Sequence, residues 1–173
     1  MGIFNLHSYD VKITPALKEG SQVSVDFSSR NLLQYGINLP VEISTASIFR
    51  NPPLNMPLYT IVVMAHFDTG ASVTSIDIEL AKHLNLMAVG QTENRTAMGS
   101  QVMPNFAIDI SFPNAKLSPF HNLRIGSCSL GFNLQNNMKP SKSLNMGILI
   151  GRDIMSRWNI IWNGLTSTVI ICD

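Results

Sequence analysis

The chain has 173 residues, of which 45% are hydrophobic and only 13% are charged, and its formal net charge is +1. This length fits one domain with a full hydrophobic core. The charged fraction is far below the roughly 25% typical of globular proteins, which suggests that a partner subunit covers part of the surface. A nearly neutral chain without a basic run argues against binding to nucleic acid or to an anionic membrane.

Short apolar or alternating runs, separated by Gly, Pro, Asn and Ser, predict an all-β fold. In chain order the predicted strands are residues 9–13, 23–27, 40–44, 59–67, 101–111, 123–125, 129–132, 144–150, 159–162 and 168–172. Asn163-Gly164 predicts a hairpin turn, since both residues tolerate positive φ. Two short helices are expected, one capped by Asp77 and running to about Leu86, the other over residues 153–158 and capped by Asp153.

The N-terminus and the cysteines bear on localisation. The chain starts without the basic and apolar regions of a secretory signal, and its longest apolar stretch is too short to span a bilayer. Cys128 and Cys172 lack metal-ligand spacing, and two cysteines do not make a disulfide framework. We therefore expect a cytoplasmic protein with reduced thiols and no membrane attachment.

One acidic residue stands out because it ends a buried strand. Asp68-Thr69-Gly70 follows the apolar run 61–67 and continues as Ala71. A buried carboxylate is costly unless its charge is neutralised, shared or hydrogen-bonded. Gly70 and Ala71 let the backbone approach a ligand, and the Thr69 hydroxyl can brace the turn. This arrangement suits a carboxylate that holds an attacking water, and the competing interpretation is an Asp that serves only the turn.

A second segment favours the catalytic interpretation. Ile148-Leu149-Ile150-Gly151-Arg152-Asp153 places apolar residues and a glycine before the second predicted helix, and Gly151 lies 83 positions after Asp68. Together the two segments resemble the retropepsin-like aspartic proteases, and cellular and bacterial members more than viral ones. The resemblance implies a single-lobe acid-protease domain over residues 36–173, an all-β closed barrel with one or two short helices. Residues 1–35 are then an N-terminal extension that adds a strand, extends a dimer or is removed by self-cleavage.

Because the chain has one Asp-Thr-Gly tripeptide, the resemblance also implies a homodimer. Asp68 of each subunit would meet across a two-fold axis, and the two carboxylates would share one proton. The family mechanism gives catalytic roles to Asp68, Thr69 and Gly70, needs no metal or other cofactor, and acts on a peptide or protein substrate. The dimer edge is expected along residues 168–173, and Trp158 and Trp162 are expected in the core or at the dimer contact.

The resemblance further implies a set of substrate-binding residues. A mobile hairpin, or flap, is expected over residues 92–104. It has fewer glycines than the viral flap, so a plain surface hairpin is the alternative. Leu149 is expected to line a side-chain pocket. The full set of expected substrate-binding residues is His66, Ala71, Met98, Gly99, Ser100, Leu149 and Gly151.

Two positions depart from the viral pattern. Ser72 stands where the viral enzymes usually carry an Asp, so Arg152 needs a different partner. His66 lies two positions before Asp68 and therefore on the same strand face. It is either a neutral, hydrogen-bonded histidine or a group that titrates beside the carboxylates and favours acidic or polar substrate side chains.

Two other classes of function stay open. A catalytically inactive retropepsin-like module would serve dimerisation or peptide binding, and the glycine-poor flap and His66 favour it. A monomeric barrel that binds small ligands would leave Asp68 without its mate. The intact Asp-Thr-Gly tripeptide favours the enzyme.

Overall fold

A computed structural model describes residues 10–14, 22–26, 36–49, 60–96, 99–113, 115, 117–133 and 145–173. Within these ranges the chain forms eleven strands, two short α-helices and one 3-10 turn, Ser47–Phe49. The strands are β1 (Asp10–Thr14), β2 (Gln22–Asp26), β3 (Asn38–Thr45), β4 (Thr60–Phe67), β5 (Ser75–Asp77), β6 (Ala88–Thr96), β7 (Gly99–Ser111), β8 (Phe120–Cys128), β9 (Met146–Ile150), β10 (Asn159–Asn163) and β11 (Thr168–Cys172). The helices are α1 (Ile78–His83) and α2 (Arg152–Met155).

Six strands form a closed barrel in the order β3-β4-β9-β5-β8-β7, and β3 closes the ring by pairing with β7. The closing register places Ile43 opposite Ile110. Strand β6 pairs with β7 and extends from the ring as a hairpin. The predicted all-β, single-lobe barrel with two short helices is therefore confirmed.

The core lies inside this ring. Alternate residues of its strands point inward because successive side chains of a strand face opposite sides. The fully buried side chains include Val41, Ile43, Val63, Ala65, Ile76, Ile108, Ile110, Ile148 and Ile150. At one end of the core, the buried Trp158 packs against the rings of Phe67, Phe112 and Phe120, with centroids 6.0, 5.4 and 5.6 Å away.

A second sheet has the strand order β1-β2-β11-β10. Strand β11 lies between two strands of its own chain, and Gln22 of β2 stands opposite Cys172 of β11. Val169 and Ile171 are fully buried. Two strands of the N-terminal segment thus lie in one sheet with the last strand of the chain. No helix in the described ranges is both long and apolar enough to cross a membrane.

The predicted strand over residues 129–132 is wrong, because a carboxylate binds its backbone. Leu130 N and Phe132 N donate to Asp77 Oδ2, at 2.6 and 3.3 Å, and residues 129–133 form no ladder. The other oxygen of Asp77 caps α1 by accepting from Glu79 N and Leu80 N, which confirms the predicted cap. Helix α1 ends three residues early, at His83, with Asn85 in the left-handed region.

The predicted cap of the second helix is also wrong. Helix α2 begins at Arg152 after Gly151, which has no capping side chain, and Asp153 lies inside the helix. The last hairpin is present where it was expected, with a longer turn. Asn163 Oδ1 accepts from the backbone N–H groups of residues 165 and 166, and the positive φ falls on Ser167.

Candidate active site

The turn Asp68–Gly70 lies at the end of β4, where that strand meets β9. Asp68 N donates to Ile150 O at 3.0 Å, which ties the turn to the parallel partner strand. Asp68 Oδ1 accepts from Gly70 N at 2.7 Å, and Asp68 O accepts from Ala71 N at 3.1 Å. Asp68 is half-buried, whereas Thr69 and Gly70 are exposed. The fold thus presents a carboxylate on a turn fixed by its own backbone.

Gly70 leaves room for the Asp68 carboxylate in its present position. A Cβ at residue 70 would lie 2.9 Å from Asp68 Oδ1, closer than real Cβ contacts allow. Any side chain at residue 70 would therefore move either the turn or the Asp68 carboxylate. The backbone at Gly70 therefore lies close to the Asp68 carboxylate.

Arg152 finds its partner on the turn. Its backbone N–H donates to Ala71 O at 3.0 Å, and its guanidinium Nη1 donates to Thr69 O at 2.5 Å. A cation bound to a carbonyl of the turn replaces the carboxylate partner expected in the viral enzymes. Arg152 therefore joins the start of α2 to the Asp68 turn.

A partly buried network reinforces this junction. Asp153 accepts from Thr74 N with both carboxylate oxygens, each at 3.0 Å, and from Thr74 Oγ1 at 2.7 Å. Thr74 Oγ1 accepts in turn from Gly151 N at 3.0 Å. Charge-assisted bonds of this kind are stronger than neutral ones. Asp153 thus positions the segment that follows the Asp68 turn, and its predicted role as a helix cap is replaced by this one.

His66 stands between Asn38 and Leu149 in the sheet. Its Nδ1 lies 3.0 Å from Asn38 Oδ1, and the Asn38 amide nitrogen donates to Gly36 O at 3.4 Å. That amide orientation assigns the imidazole proton to Nδ1. Burial lowers the pKa of His66 below its ordinary value of 6.5, against a raising effect of the Asp68 carboxylate. Both observations favour a neutral, hydrogen-bonded histidine.

Replacing His66 with Gln is expected to reduce the loss of stability in acid. Because the folded pKa of His66 is lowered, the unfolded chain takes up a proton first as the pH falls below about 6.5, and this uptake favours unfolding. This loss of folding free energy is absent at a pH above the pKa of His66 in the unfolded chain. It grows as the pH falls toward the lower pKa of His66 in the folded protein.

The measurement is the melting temperature between about pH 8 and about pH 5 for wild type, His66→Gln and a control, His83→Gln, on the exposed end of α1. On acidification, the melting temperature of the wild type should fall further than that of His66→Gln. Parallel curves for these two proteins would contradict the lowered pKa.

The expected flap corresponds to the hairpin of β6 and β7, in which Thr96 pairs with Gly99. Ala97 and Met98 lie outside the described residues. Asn94 Nδ2 donates to Ser127 O at 2.7 Å and ties the hairpin to β8. The exposed Gly99 and Ser100 line a cavity of about 610 Å³ together with Ile78, Asn94, Gln101, Met103, Cys128 and Ser129. Gly99 and Ser100 thus line a different cavity from the one that lies beside the Asp68 turn and is described below.

Cys128, in that cavity wall, is not an activated nucleophile. Burial, and after it the Asp77 carboxylate, raises the pKa of the Cys128 thiol to about 11. The attacking form of a cysteine is the thiolate, and a pKa raised this far keeps the side chain protonated at neutral pH.

A second cavity, of about 450 Å³, opens beside the Asp68 turn. Its polar lining residues are Thr69, Arg152 and Ser156, and the others are Ile37, Phe67, Met155, Ile160 and Trp162. We call it the β10 cleft, because Ile160 and Trp162 belong to that strand. The turn that carries Asp68 therefore borders a mostly apolar depression.

The sequence did not single out Thr74 or Asn38. Thr74 follows Asp68 by six positions and contacts Asp153 only through the fold. Asn38 meets His66 only because of the register between β3 and β4. Neither contact has a signal in the local sequence, since both depend on pairing between distant segments.

Comparison with known proteins gives similarity to solved structures only at the level of the fold. No family model matches the sequence, and no curated protein matches it. Among solved structures, the chain is similar to the crystal structure of a retropepsin-like aspartic protease from Rickettsia conorii. The two are 12% identical, the alignment covers 92% of this chain and 97% of that chain, and the TM-score is 0.49.

Proposed function

We propose that this chain is a retropepsin-like aspartic endopeptidase that works as a homodimer, with Asp68 from each subunit in one shared site. The observation that carries the proposal is the Asp68 turn. A half-buried carboxylate stands at the end of a barrel strand, the backbone around it is fixed by β9 and α2, and the next two residues are exposed. The proposed protease domain comprises residues 36–173, with residues 1–35 as its extension and the cytoplasm as its location.

The chemistry explains why two copies are needed. Hydrolysis of a peptide bond requires a base that takes a proton from water and an acid that donates one to the carbonyl oxygen. Two close carboxylates cannot both ionise, so an Asp68 pair would supply one of each. Water oxygen then adds to the carbonyl carbon and gives a tetrahedral diol. Proton transfer to the nitrogen lets the carbon–nitrogen bond break, and no covalent enzyme intermediate forms.

The other site residues have roles that follow from their places. Thr69 and Gly70 are exposed beside Asp68, where Thr69 would contact the partner's turn and the Gly70 carbonyl would bind the substrate backbone. Leu149 and His66 are paired neighbours at the ends of β9 and β4, and would line a side-chain pocket with Ala71 and Gly151. A neutral imidazole with its proton on Nδ1 would accept a hydrogen bond at Nε2, and so would favour polar substrate side chains that donate one. The β6–β7 hairpin would close over the bound peptide.

The second candidate is an inactive retropepsin-like module that dimerises or binds peptides. The flap favours it, because Gly99 is the only glycine among the four residues expected at the tip. A stiff flap would bind a peptide and release it without turnover. This candidate shares the fold and the dimer with the enzyme and differs in the chemical step alone.

The test is incubation of the purified protein with a mixed peptide library from acidic to neutral pH, read by mass spectrometry. A statine-containing peptide, which imitates the tetrahedral diol, is added to half of the samples. We expect cleavage at a limited set of sites and its suppression by the statine peptide. A dimeric protein that cuts nothing, or that cuts equally well with the inhibitor present, would contradict the proposed activity.

A further inference from the structure

We propose that two copies join edge to edge through β10, and that the second copy covers the β10 cleft beside Thr69. This inference rests on the proposed function, because the Asp68 pair requires a second copy. Beyond the proposed function, it specifies the strand that forms the interface and the residues of this chain that the second copy contacts.

Strand β10 has an open edge and an apolar sequence, which are features of strands that pair with another chain. Among the described residues it pairs with β11 alone, so its other edge is open. Its sequence is Asn-Ile-Ile-Trp-Asn, and Ile161 and Trp162 are 56% and 52% exposed. Edge strands are normally protected by charges, proline or bulges against pairing with another chain. An apolar edge strand without that protection is an interaction surface.

The apolar surface of β10 continues to the Asp68 turn. Ile160 and Trp162 lie on one face of the strand, since they are two positions apart, and both line the β10 cleft. Thr69 lines the same cleft. A molecule that packs against Trp162 therefore approaches the turn that carries Asp68.

A second copy is the occupant that these observations favour. A catalytic pair needs the partner's Asp68 near the first Asp68, which places a two-fold axis beside the turn. Two identical edge strands related by a two-fold axis run antiparallel and can form a regular ladder. One axis therefore serves both contacts. A charged fraction of 13% in the whole chain agrees with a surface partly covered by another subunit.

The expected dimer edge along residues 168–173 is wrong for this sheet. Strand β11 already has β10 on one side and β2 on the other. Val169 and Ile171 are fully buried in the core of their own chain. Removing residues 169–173 would therefore unfold the subunit, and the strand available to a partner is β10.

The test replaces Ile161 with Lys and measures the dimer dissociation constant by sedimentation equilibrium. Ile161 points away from the β10 cleft and is exposed in the single chain, so the subunit should stay folded. We expect the dissociation constant to rise about 30-fold or more, with peptide cleavage lost at the concentration where the wild type is dimeric. Leu165→Lys is the control, because Leu165 is fully exposed on the turn after β10, and both quantities should stay unchanged.

A mixture of Ile161→Lys and Ile161→Asp proteins tests the pairing directly. Ile161 is the middle residue of β10, so a two-fold axis through the centre of the ladder sets residue 161 opposite its own copy. Like charges there repel and opposite charges attract, so each variant alone should be monomeric and the mixture should recover the dimer. Recovery also shows that both variants are folded. No recovery would overturn the β10 pairing.

Two further outcomes separate this inference from the proposed function. An Ile161→Lys protein that dimerises and cuts peptides like the wild type overturns the β10 interface and leaves the proposed peptidase standing, whereas a wild type that stays monomeric at high concentration overturns both. A wild-type dimer that Ile161→Lys disrupts, but that cuts no peptide, supports the interface and removes the peptidase.

Discussion

An Asp68→Asn protein is expected to hydrolyse peptides about 10⁴-fold more slowly than the wild type while keeping its fold. The amide oxygen of Asn can still accept from Gly70 N, the bond that holds Asp68 Oδ1 in the structure. The turn should therefore keep its shape. An amide cannot take a proton from water or share one with a second carboxylate, so both the base and the acid of the pair are lost.

The control for this loss is Glu79→Gln, which removes a carboxylate from an exposed position on α1 where it pairs with Lys82. An exposed pair of this kind contributes little to stability, and kcat/KM should be unchanged. The measurements are kcat/KM on one peptide found in the library, with sedimentation to show that both variants remain dimers. Full activity in the Asp68→Asn dimer would assign the chemistry to another group.

A Gly151→Ala protein is expected to lose about 3 kcal/mol of unfolding free energy. A Cβ at residue 151 would lie 2.6 Å from the carbonyl carbon of Val73 and 2.8 Å from Thr74 N. These are backbone atoms, which cannot rotate away as a side chain does. The two segments that cross beside Asp68 would have to separate, and the bond from Gly151 N to Thr74 Oγ1 would lengthen.

The same displacement should lower kcat/KM about 100-fold, since a shift of about 1 Å in a catalytic group costs this much. Gly164→Ala is the matched control. The nearest atom to its Cβ would be Trp162 Nε1 at 3.9 Å, and its unfolding free energy should change by less than about 0.5 kcal/mol. Equal urea midpoints for the two variants would show that the crossing tolerates a methyl group.

The strands that the sequence predicts best are those that form the barrel around Asp68. Runs of mostly apolar residues at 61–67 and 148–150 became β4 and β9, because a strand buried on both faces has no regular polar alternation. The hydrophobic pattern therefore places Asp68 and Gly151 at the ends of two strands, and the fold makes these strands neighbours.

The sequence did not correctly predict the elements whose structure depends on contacts with distant segments of the chain. Strand β5 has three residues and depends on pairing with β8 and β9, so its own sequence carries little signal. Residues 129–132 alternate like a strand, but the carboxylate of Asp77 binds their backbone from 53 positions away. In both cases a contact between remote segments outweighs the local pattern.

The site was predictable in part for the same reason. Asp68, Thr69 and Gly70 form a local motif, and the sequence places them on one turn. The bond from Arg152 to Thr69 O and the network of Thr74 with Asp153 join segments about 80 positions apart. Only the fold shows that these polar groups satisfy one another.

The pairing of β2 with β11 also sets an order of events during protein synthesis. Gln22 and Cys172 are 150 positions apart, so the first of these strands leaves the ribosome long before its partner exists. Pairing over such a separation is slow, because the intervening chain must be ordered first. In the part of the chain that the structure describes, β11 is the one strand that pairs with β10, so the proposed interface cannot form before β11 has emerged. If the proposed enzyme acts through that edge, each molecule remains inactive until residues 168–172 have left the ribosome and paired with β10.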